Sequence, residues 1–250
     1  MTKELLSIDL SNYCTKQCPF CYNYSTKEGN VAWTPDEVIA FASDCVAHGI
    51  KAVSLGGGEP FEYDGIFKVI DALYPLTYLS VTTNGLPLEK PGVWEMLMEH
   101  HPDKVHITIH NADSKAEVER VFKQVRRLKD TCIKPGVNLL CPASKIEDCA
   151  AAYAALMEII SPEQVILIPQ RFSDTPTPKQ LASVSGGQPF QSPSCILKCE
   201  VPEKFISVSW DKKVNHCSYA GGKQPLKTLD WAGVEKVLAT VKFQSCMIKR

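Results

Sequence analysis

The sequence of 250 residues has almost no net charge and no long apolar run. Its formal charge at pH 7 is −1, with 27 Lys and Arg against 28 Asp and Glu, so bulk electrostatics gives no reason to expect a nucleic-acid partner. No stretch is long and apolar enough to span a bilayer. The amino-terminal sequence MTKELLSIDL lacks the basic segment and apolar core of a signal peptide. We therefore expect a cytoplasmic protein with no membrane partner.

Cysteine, by contrast, is abundant, with 11 residues in the chain. An odd number of cysteines in a cytoplasmic protein, where thiols stay reduced, does not fit a disulfide framework. Binding of a metal ion or an iron–sulfur cluster, together with a few buried core thiols, is the better interpretation. Hydrophobic residues make up 44% of the chain and charged residues 22%, which is ordinary for one large globular domain.

Six apolar segments predict the strands of a parallel sheet. They are rich in Val, Ile and Leu, which is typical of strands buried on both faces by flanking helices. They span residues 5–10, 51–55, 77–83, 104–110, 136–141 and 164–169. Helical patterns fill the gaps, most clearly after the capping box of Thr34 and Glu37 and over residues 115–129. Six β–α units in succession predict an α/β fold, a partial (βα)6 TIM-like barrel with its functional loops at the carboxyl ends of the strands.

The composition changes after residue 170. Residues 171–193 are rich in Pro, Ser, Thr, Gly and Gln, which is typical of a loop or linker. A predicted hairpin, FISVSW followed by VNHCSY, and a last helix at 230–241 come after it. We therefore predict a barrel over residues 1–170, a linker over 171–193 and a small cysteine-containing lobe over 194–250.

Three cysteines, Cys14, Cys18 and Cys21, directly follow the first predicted strand. Three thiols are one short of a closed tetrahedral zinc site. A zinc ion with a distant fourth ligand and an iron–sulfur cluster both fit these residues. The segment Gly57-Gly58-Glu59-Pro60 follows the second strand, and its glycines would let the backbone approach a ligand closely.

The spacing Cys14-x3-Cys18-x2-Cys21, with Gly-Gly-Glu-Pro one strand later, resembles the motifs of the radical S-adenosylmethionine (radical SAM) superfamily. The resemblance implies three thiolates that hold a [4Fe–4S] cluster, whose fourth iron binds the amino and carboxylate groups of SAM. It implies an enzyme that cleaves SAM reductively to methionine and a 5′-deoxyadenosyl radical. That radical would take a hydrogen atom from a peptide or small molecule, as in an oxidoreductase or maturase. A flavodoxin or ferredoxin would supply the electron.

The resemblance also implies residues that bind SAM. Glu59 would pair with its ammonium group, and polar side chains of the fourth strand would reach its ribose and carboxylate. The implied residues are Phe20, Tyr22, Gly57, Gly58, Glu59, Asn84, Thr108, His110 and Asn138. An Asn-Gly turn at Asn84 and a solvent-facing fourth strand are the ordinary alternatives. Gln170 and Arg171 could hold a substrate carboxylate, although a surface arginine is the commoner case.

The tail contains a second set of cysteines. It consists of Cys195, Cys199, Cys217 and Cys246. The segment around Cys217 resembles the twitch or SPASM extensions of radical SAM enzymes, in which a hairpin cysteine helps to bind an auxiliary iron–sulfur cluster. A zinc site of four thiolates and buried thiols without metal both stay open. The other four cysteines, Cys45, Cys132, Cys141 and Cys149, are predicted to be core residues.

Two other functions stay open at this level. Glycyl-radical activases share the triad spacing, although they often carry a ferredoxin-like insertion after the triad, and there is no cysteine set at that place. A zinc-stabilised binding protein without catalysis is an alternative from another class. Because the triad begins so early in the chain, we expect no amino-terminal peptide-recognition domain.

Overall fold

The computed structural model describes residues 3–246. The outer ends of the predicted barrel and lobe, residues 1–2 and 247–250, lie outside the described residues. The strands in this part of the chain are β1 (Leu5–Asp9), β2 (Ala52–Gly56), β3 (Tyr78–Thr83), β4 (Lys104–Ile109), β5 (Lys134–Cys141), β6 (Val165–Pro169), β7 (Phe205–Val208), β8 (Lys213–Asn215) and β9 (Gln224–Pro225). The helices are α1 (Pro35–Ala47), α2 (Ile66–Leu73), α3 (Val93–Glu99), α4 (Lys115–Lys129), α5 (Ile146–Met157), α6 (Pro178–Val184) and α7 (Trp231–Leu238).

The described strands form one sheet in the order β6-β5-β4-β3-β2-β1-β7-β8-β9. Strands β1 to β6 are parallel and lie in chain order, with a helix after each of the first five. Each of these strands begins and ends within two residues of its predicted position. The sheet is open between β6 and β9. The predicted α/β fold is confirmed, and a partial barrel describes its first six strands.

The two faces of the sheet differ. Leu6, Ile8, Val53 and Leu55 are fully buried in the apolar core. Residues that alternate with them in the first five strands, Ser7, Ser54, Thr82, Thr108 and Asn138, line a cavity on the other face. The prediction that helices cover both faces is therefore wrong. Right-handed crossovers place the helices of a barrel on its outside, which leaves the inner face for polar side chains.

Helix α1 begins as the sequence predicts. The hydroxyl of Thr34 accepts a hydrogen bond from the backbone N–H of Glu37, while the Glu37 carboxylate accepts one from the backbone N–H of Thr34. Pro35 occupies the first turn, and Gly49 adopts φ +110° just beyond the end of the helix. Helix α4 matches its predicted bounds and buries Val121, Val125 and Leu128. Local capping and apolar spacing thus define both helices.

The segment predicted as a linker contains a helix, α6. Thr177 accepts from the backbone N–H of Gln180, and the Gln180 side chain accepts from the backbone N–H of Thr177. Leu181 and Val184 are buried on the side that packs against α5. The signal Thr177-Pro178-x-Gln180 repeats the pattern that begins α1. The surrounding Pro, Ser and Gly obscured it, so the prediction of a continuous loop over 171–193 is wrong here.

The predicted tail hairpin exists, but it belongs to the main sheet. Strand β7 pairs antiparallel with β8 on one side and parallel with β1 on the other. In the turn, Lys212 adopts φ +59°, a conformation that usually favours glycine. Its ammonium lies 2.7 Å from a Glu37 carboxylate oxygen and 5.2 Å from the ring centre of Trp33. The boundary between barrel and lobe stays a prediction. None of the helices within residues 3–246 is long and apolar enough to cross a membrane.

Candidate active site

A cavity of about 260 Å³ opens at the carboxyl ends of the parallel strands. Because these ends meet at one edge of the sheet, loops that are distant in sequence form a common wall. The predicted site residues in this wall are Cys14, Cys18, Cys21, Phe20, Tyr22, Gly57, Gly58, Asn84, Thr108, His110 and Asn138. Of the residues predicted for the triad and for SAM, Glu59 alone does not line the cavity.

The three triad cysteines lie in a loop that β1 leads into. The backbone N–H of Cys14 donates to Thr26, and that of Cys21 donates to Cys18. Burial raises the pKa of the Cys14 thiol and raises that of Cys18 to about 12. Thiolates are the ligands of iron–sulfur clusters, so binding a cluster must release these protons. A cluster bound at this loop would therefore displace protons from its thiols.

The glycines after β2 are required by a close approach to that loop. Gly57 has φ +106°, and a Cβ atom there would lie 2.7 Å from the carbonyl oxygen of Ser11. A Cβ atom on Gly58 would lie 2.0 Å from the carbonyl oxygen of Tyr13. The Gly58 N–H donates to Ser11 at 2.7 Å, and the Glu59 N–H donates to Tyr13 at 2.9 Å. The Gly-Gly-Glu-Pro segment thus holds the start of the cysteine loop by backbone contact.

Glu59 is fully enclosed below the cavity. Its carboxylate accepts hydrogen bonds from the Thr83 hydroxyl at 2.7 Å, the Asn84 backbone N–H at 2.8 Å and the Phe61 backbone N–H at 3.1 Å. Burial raises the pKa of Glu59 to about 7. In this arrangement the carboxylate orders the end of β3, and its pairing with the ammonium of SAM stays a prediction.

Asn84 connects this carboxylate to the triad. Its side-chain amide donates to the sulfur of Cys14 at 3.6 Å, and its side-chain oxygen accepts from the Leu86 backbone N–H at 2.8 Å. Asn84 therefore forms the predicted turn and also contacts a predicted cluster ligand. Hydrogen bonds to cluster sulfurs are one of the means by which proteins set the reduction potential.

Lys16 and Glu117 form an ion pair beside the triad that sequence reasoning missed. The Lys16 ammonium lies 2.9 Å from one Glu117 oxygen, and the backbone N–H of His110 donates to the other at 2.7 Å. Phe20 stacks on the His110 ring with centroids 6.2 Å apart. Burial opposes ionisation of Glu117, but hydrogen bonds from His110 and Lys16 outweigh it and lower its pKa. The sequence signal was Ser114-x-x-Glu117, which resembles a helix cap.

A second carboxylate holds the same loop. Glu62 accepts from the backbone N–H of Thr15 at 3.0 Å and from its hydroxyl at 2.6 Å. Thr15 and Lys16 are the two residues that follow Cys14. The cysteine loop is therefore attached through Glu62 after β2 and Glu117 on α4, in addition to its backbone contacts.

A family model for the radical SAM superfamily matches residues 8–135 of the chain. The chain belongs to the radical SAM superfamily. It is therefore a radical SAM enzyme, and its cofactors are a [4Fe–4S] cluster and SAM. The alternative of a zinc-stabilised binding protein without catalysis is overturned by this membership.

Two curated relatives from archaea share one name. A probable GTP 3′,8-cyclase of Methanocella arvoryzae is 32% identical over 108 residues, which cover 43% of this chain and 34% of the relative. The probable GTP 3′,8-cyclase of Methanocaldococcus jannaschii is 26% identical over 155 residues, covering 57% of this chain and 51% of the relative. The matched segments thus span about a third to a half of the length of these two proteins.

The solved structures share the fold. Streptococcus suis SuiB bound to S-adenosylmethionine has a TM-score of 0.68 and 17% identity, covering 90% of this chain and 63% of SuiB. SuiB bound to its precursor peptide SuiA has a TM-score of 0.68 and 16% identity, covering 86% of this chain and 60% of SuiB. At this identity the likeness shows the architecture alone, and it supports the partial TIM-like barrel.

The cavity of this radical SAM enzyme suits its cofactors chemically. Three thiols lie in one wall, and thiolates are the preferred ligands of iron–sulfur clusters. Three buried polar atoms of the described wall, Nδ1 of His110, Oδ1 of Asn138 and Nε of Arg171, form no hydrogen bond of good geometry within the protein. The His110 nitrogen lies 3.5 Å from a Glu117 carboxylate oxygen. Buried polar atoms normally have a partner, and the hydroxyl, amino and carboxylate groups of SAM are suitable ones.

The second cysteine set lies next to this cavity. Arg171, at the end of β6, donates to the sulfur of Cys195 at 2.9 Å. Burial raises the pKa of Cys246, and the positive charge of Arg171 acts against this increase. The neighbouring thiols also raise it; they are Cys199, Cys195 and Cys217. The four tail thiols therefore lie within electrostatic reach of one another. No described group of three or more His, Cys, Asp or Glu side chains is arranged to hold a single metal ion. An iron–sulfur cluster differs from a single metal ion because each thiolate binds a separate iron, so its ligands need not converge on one point.

The other cysteines are mostly in the core. Cys45, Cys141 and Cys149 are fully buried, as predicted. Cys132 is exposed, so its prediction as a core residue is wrong. It lies in the turn after α4, where the amphipathic pattern of the helix no longer applies.

Proposed function

We propose that this radical SAM enzyme cleaves SAM at a cluster held by Cys14, Cys18 and Cys21 and takes a hydrogen atom from a peptide or small molecule. When bound, the reduced cluster supplies the electron that breaks SAM into methionine and a 5′-deoxyadenosyl radical. The observation that supports this most is the cavity, whose wall combines the three cysteines with the carboxyl ends of β2 to β5. Enclosure matters because a radical must be kept from water and oxygen.

The other residues of the wall have positioning roles in this proposal. Gly57 and Gly58 hold the cysteine loop against β2, and Phe20, stacked on His110, borders the nucleoside of SAM. Thr108, His110 and Asn138 offer polar atoms to its ribose and carboxylate. Tyr22 lies against the same space, and its hydroxyl donates to the buried carboxylate of Asp9 at 3.0 Å.

The substrate class is drawn from two kinds of similarity. SuiB binds the precursor peptide SuiA, which supports a peptide, and the relatives are named for a reaction of GTP, which supports a small molecule. We propose a flavodoxin or ferredoxin as electron donor and a cytoplasmic location. The alternative of a glycyl-radical activase is supported by the spacing of the first three cysteines, and no feature of the described cavity favours it.

The triad is tested by removing its thiols. Anaerobically purified wild-type protein with SAM and dithionite should form 5′-deoxyadenosine, detected by chromatography and mass spectrometry. The variant C14A/C18A/C21A should form none, because the cluster has no protein ligands left. C132A, which removes an exposed thiol outside the cavity, is the matched control and should retain the activity. Wild-type-like product formation by the triple variant would refute this assignment.

We further propose that Cys195, Cys199, Cys217 and Cys246 bind an auxiliary iron–sulfur cluster. Their mutual electrostatic influence and the hydrogen bond from Arg171 to Cys195 support a common site. Four thiolates are a complete ligand set for a [4Fe–4S] cluster. Such a cluster would lie beside the cavity and could accept an electron from a substrate radical there.

A further inference from the structure

Arg171 places a positive charge in the wall of the cavity without an acidic partner. The residue is only 5% exposed. Within residues 3–246 its guanidinium forms no ion pair and one hydrogen bond, from Nη2 to the sulfur of Cys195. Its Nε atom is buried and has no hydrogen-bond partner. A desolvated cation is costly unless an anion pairs with it.

The rest of the cavity wall does not supply that anion. Its residues include two cations, Lys16 and Arg171, and no aspartate or glutamate. Lys16 already pairs with Glu117 at 2.9 Å, so Arg171 is the cation of the wall without a carboxylate partner. The negative charge that neutralises Arg171 must therefore come from a bound molecule with a carboxylate or phosphate or, in part, from the tail thiolates.

The guanidinium is held in position by its other contacts. Its central carbon lies 5.3 Å from the ring centre of Tyr219, which in turn packs against Tyr22 with centroids 4.8 Å apart. One edge of the guanidinium is fixed to Cys195, which leaves its remaining N–H donors for a ligand. A planar guanidinium matches the geometry of an oxyanion.

We propose that Arg171 anchors an oxyanion of the substrate, a carboxylate or a phosphate, in the cavity. The inference rests on the proposed function, because it takes this cavity to be the substrate site. The anchored group lies on the part of the wall that adjoins Cys195, so the anionic end of the substrate lies beside the second cysteine set. The substrate class is narrowed to molecules with an accessible carboxylate or phosphate.

The test measures oxyanion binding to the anaerobically reconstituted enzyme. Line broadening of the ³¹P resonance of inorganic phosphate gives its affinity, and a parallel titration with ¹³C-acetate tests a carboxylate. R171Q should weaken the binding of the preferred anion at least tenfold, and R171K, which keeps the positive charge, should restore most of it. R126Q removes the same charge from an exposed position on α4 and should bind as wild type does. The two titrations distinguish a phosphate from a carboxylate as the natural group.

Two outcomes would overturn the inference. One is equal binding by wild type and R171Q for both anions. Another is abolition of phosphate and acetate binding by saturating SAM, which would assign Arg171 to the carboxylate of the cosubstrate instead. The proposed function is tested separately by 5′-deoxyadenosine formation in the wild type. Absence of 5′-deoxyadenosine would refute the proposed function without changing the measured anion affinity. Equal anion binding by wild type and R171Q would refute the anchor without changing SAM cleavage.

Discussion

At the scale of one residue, His106 shows how burial on the polar inner face of the sheet changes the protonation of a side chain. It lies on β4, and its Nδ1 atom is buried, with no hydrogen bond of good geometry and the Asn138 side chain nearby. Burial and the neighbouring positive charge of Lys104 together lower its pKa to about 4, although a hydrogen bond with Asn138 acts in the opposite direction. A Cβ atom at Gly136 on the next strand would lie 2.7 Å from that nitrogen. The neutral imidazole thus occupies space that a glycine leaves open.

This histidine predicts a pH-dependent stability. Between pH 4 and 6.5 the unfolded chain binds a proton at position 106 that the folded chain does not. The free energy of unfolding should therefore rise with pH across this window, and H106Q should remove that contribution, about 2 kcal/mol between pH 4.5 and pH 7.

Urea denaturation of the wild type, H106Q and the exposed-position control H48Q at both pH values measures the effect. A pH dependence of H106Q that equals that of the wild type would contradict the assignment. Other groups titrate in the same window, so the comparison uses the difference between variant and wild type.

Individual site residues were predictable from sequence where a local motif identifies them. The triad, Gly57, Gly58 and Asn84 occur in short motifs, and the cavity wall contains all of them. Lys16 and Glu117 were missed because their pairing joins residues 101 positions apart. Arg171 was named as a residue that could hold a substrate carboxylate, but a surface position was favoured, and only the structure shows its burial.

At the scale of elements, the cysteine loop depends on attachments to two neighbours. Backbone hydrogen bonds join it to the glycines after β2, and Glu117 joins it to α4 through Lys16. Side-chain attachments of this kind hold the ligands of a cluster in a fixed geometry. Loss of one attachment should affect cluster retention before it affects the fold.

The variant E117Q tests that dependence. It removes the negative charge opposite the nearly buried Lys16 and weakens an interaction worth about 2 kcal/mol. We expect iron release to a chelator to become severalfold faster than in the wild type. E119Q, at an exposed position of the same helix, is the matched control and should release iron as the wild type does. Equal rates for E117Q and E119Q would exclude the attachment.

The elements were largely predictable because apolar periodicity is a strong signal over a whole strand or helix. Strands β1 to β6 and helices α1 and α4 are found where their patterns place them. Helix α6 was missed because it is short and lies among residues typical of loops. The prediction that helices cover both faces of the sheet was wrong. The apolar content of a strand does not indicate which way the sheet curves, and therefore which face is left without helices.

At the scale of the whole molecule, residues 205–215 join the tail to the main sheet, and Arg171 joins the cavity to Cys195. The four tail cysteines are spread over 52 positions, from Cys195 to Cys246. Sequence alone could group them only through the resemblance to twitch extensions. The contact that brings Cys195 to the cavity, from Arg171 at the end of β6, joins residues 24 positions apart and is not encoded by local patterns.

Iron content tests the tail cluster. Two [4Fe–4S] clusters predict about eight irons per chain in the reconstituted enzyme, and C199A/C217A should reduce this to about four. C132A should keep the wild-type count, because that thiol lies outside both cysteine sets. Colorimetric iron and sulfide assays on the same samples measure the change. An unchanged number of irons per chain in C199A/C217A would refute the auxiliary cluster.

The pairing of β7 with β1 also fixes when the enzyme can be assembled during biosynthesis. Strand β1 leaves the ribosome before β2 to β6, whereas its partner at residues 205–208 emerges after all of them. Until then one edge of β1 has no neighbour on that side, and unpaired edges invite aggregation. The edge of β1 that β7 covers is therefore open to other chains throughout that interval.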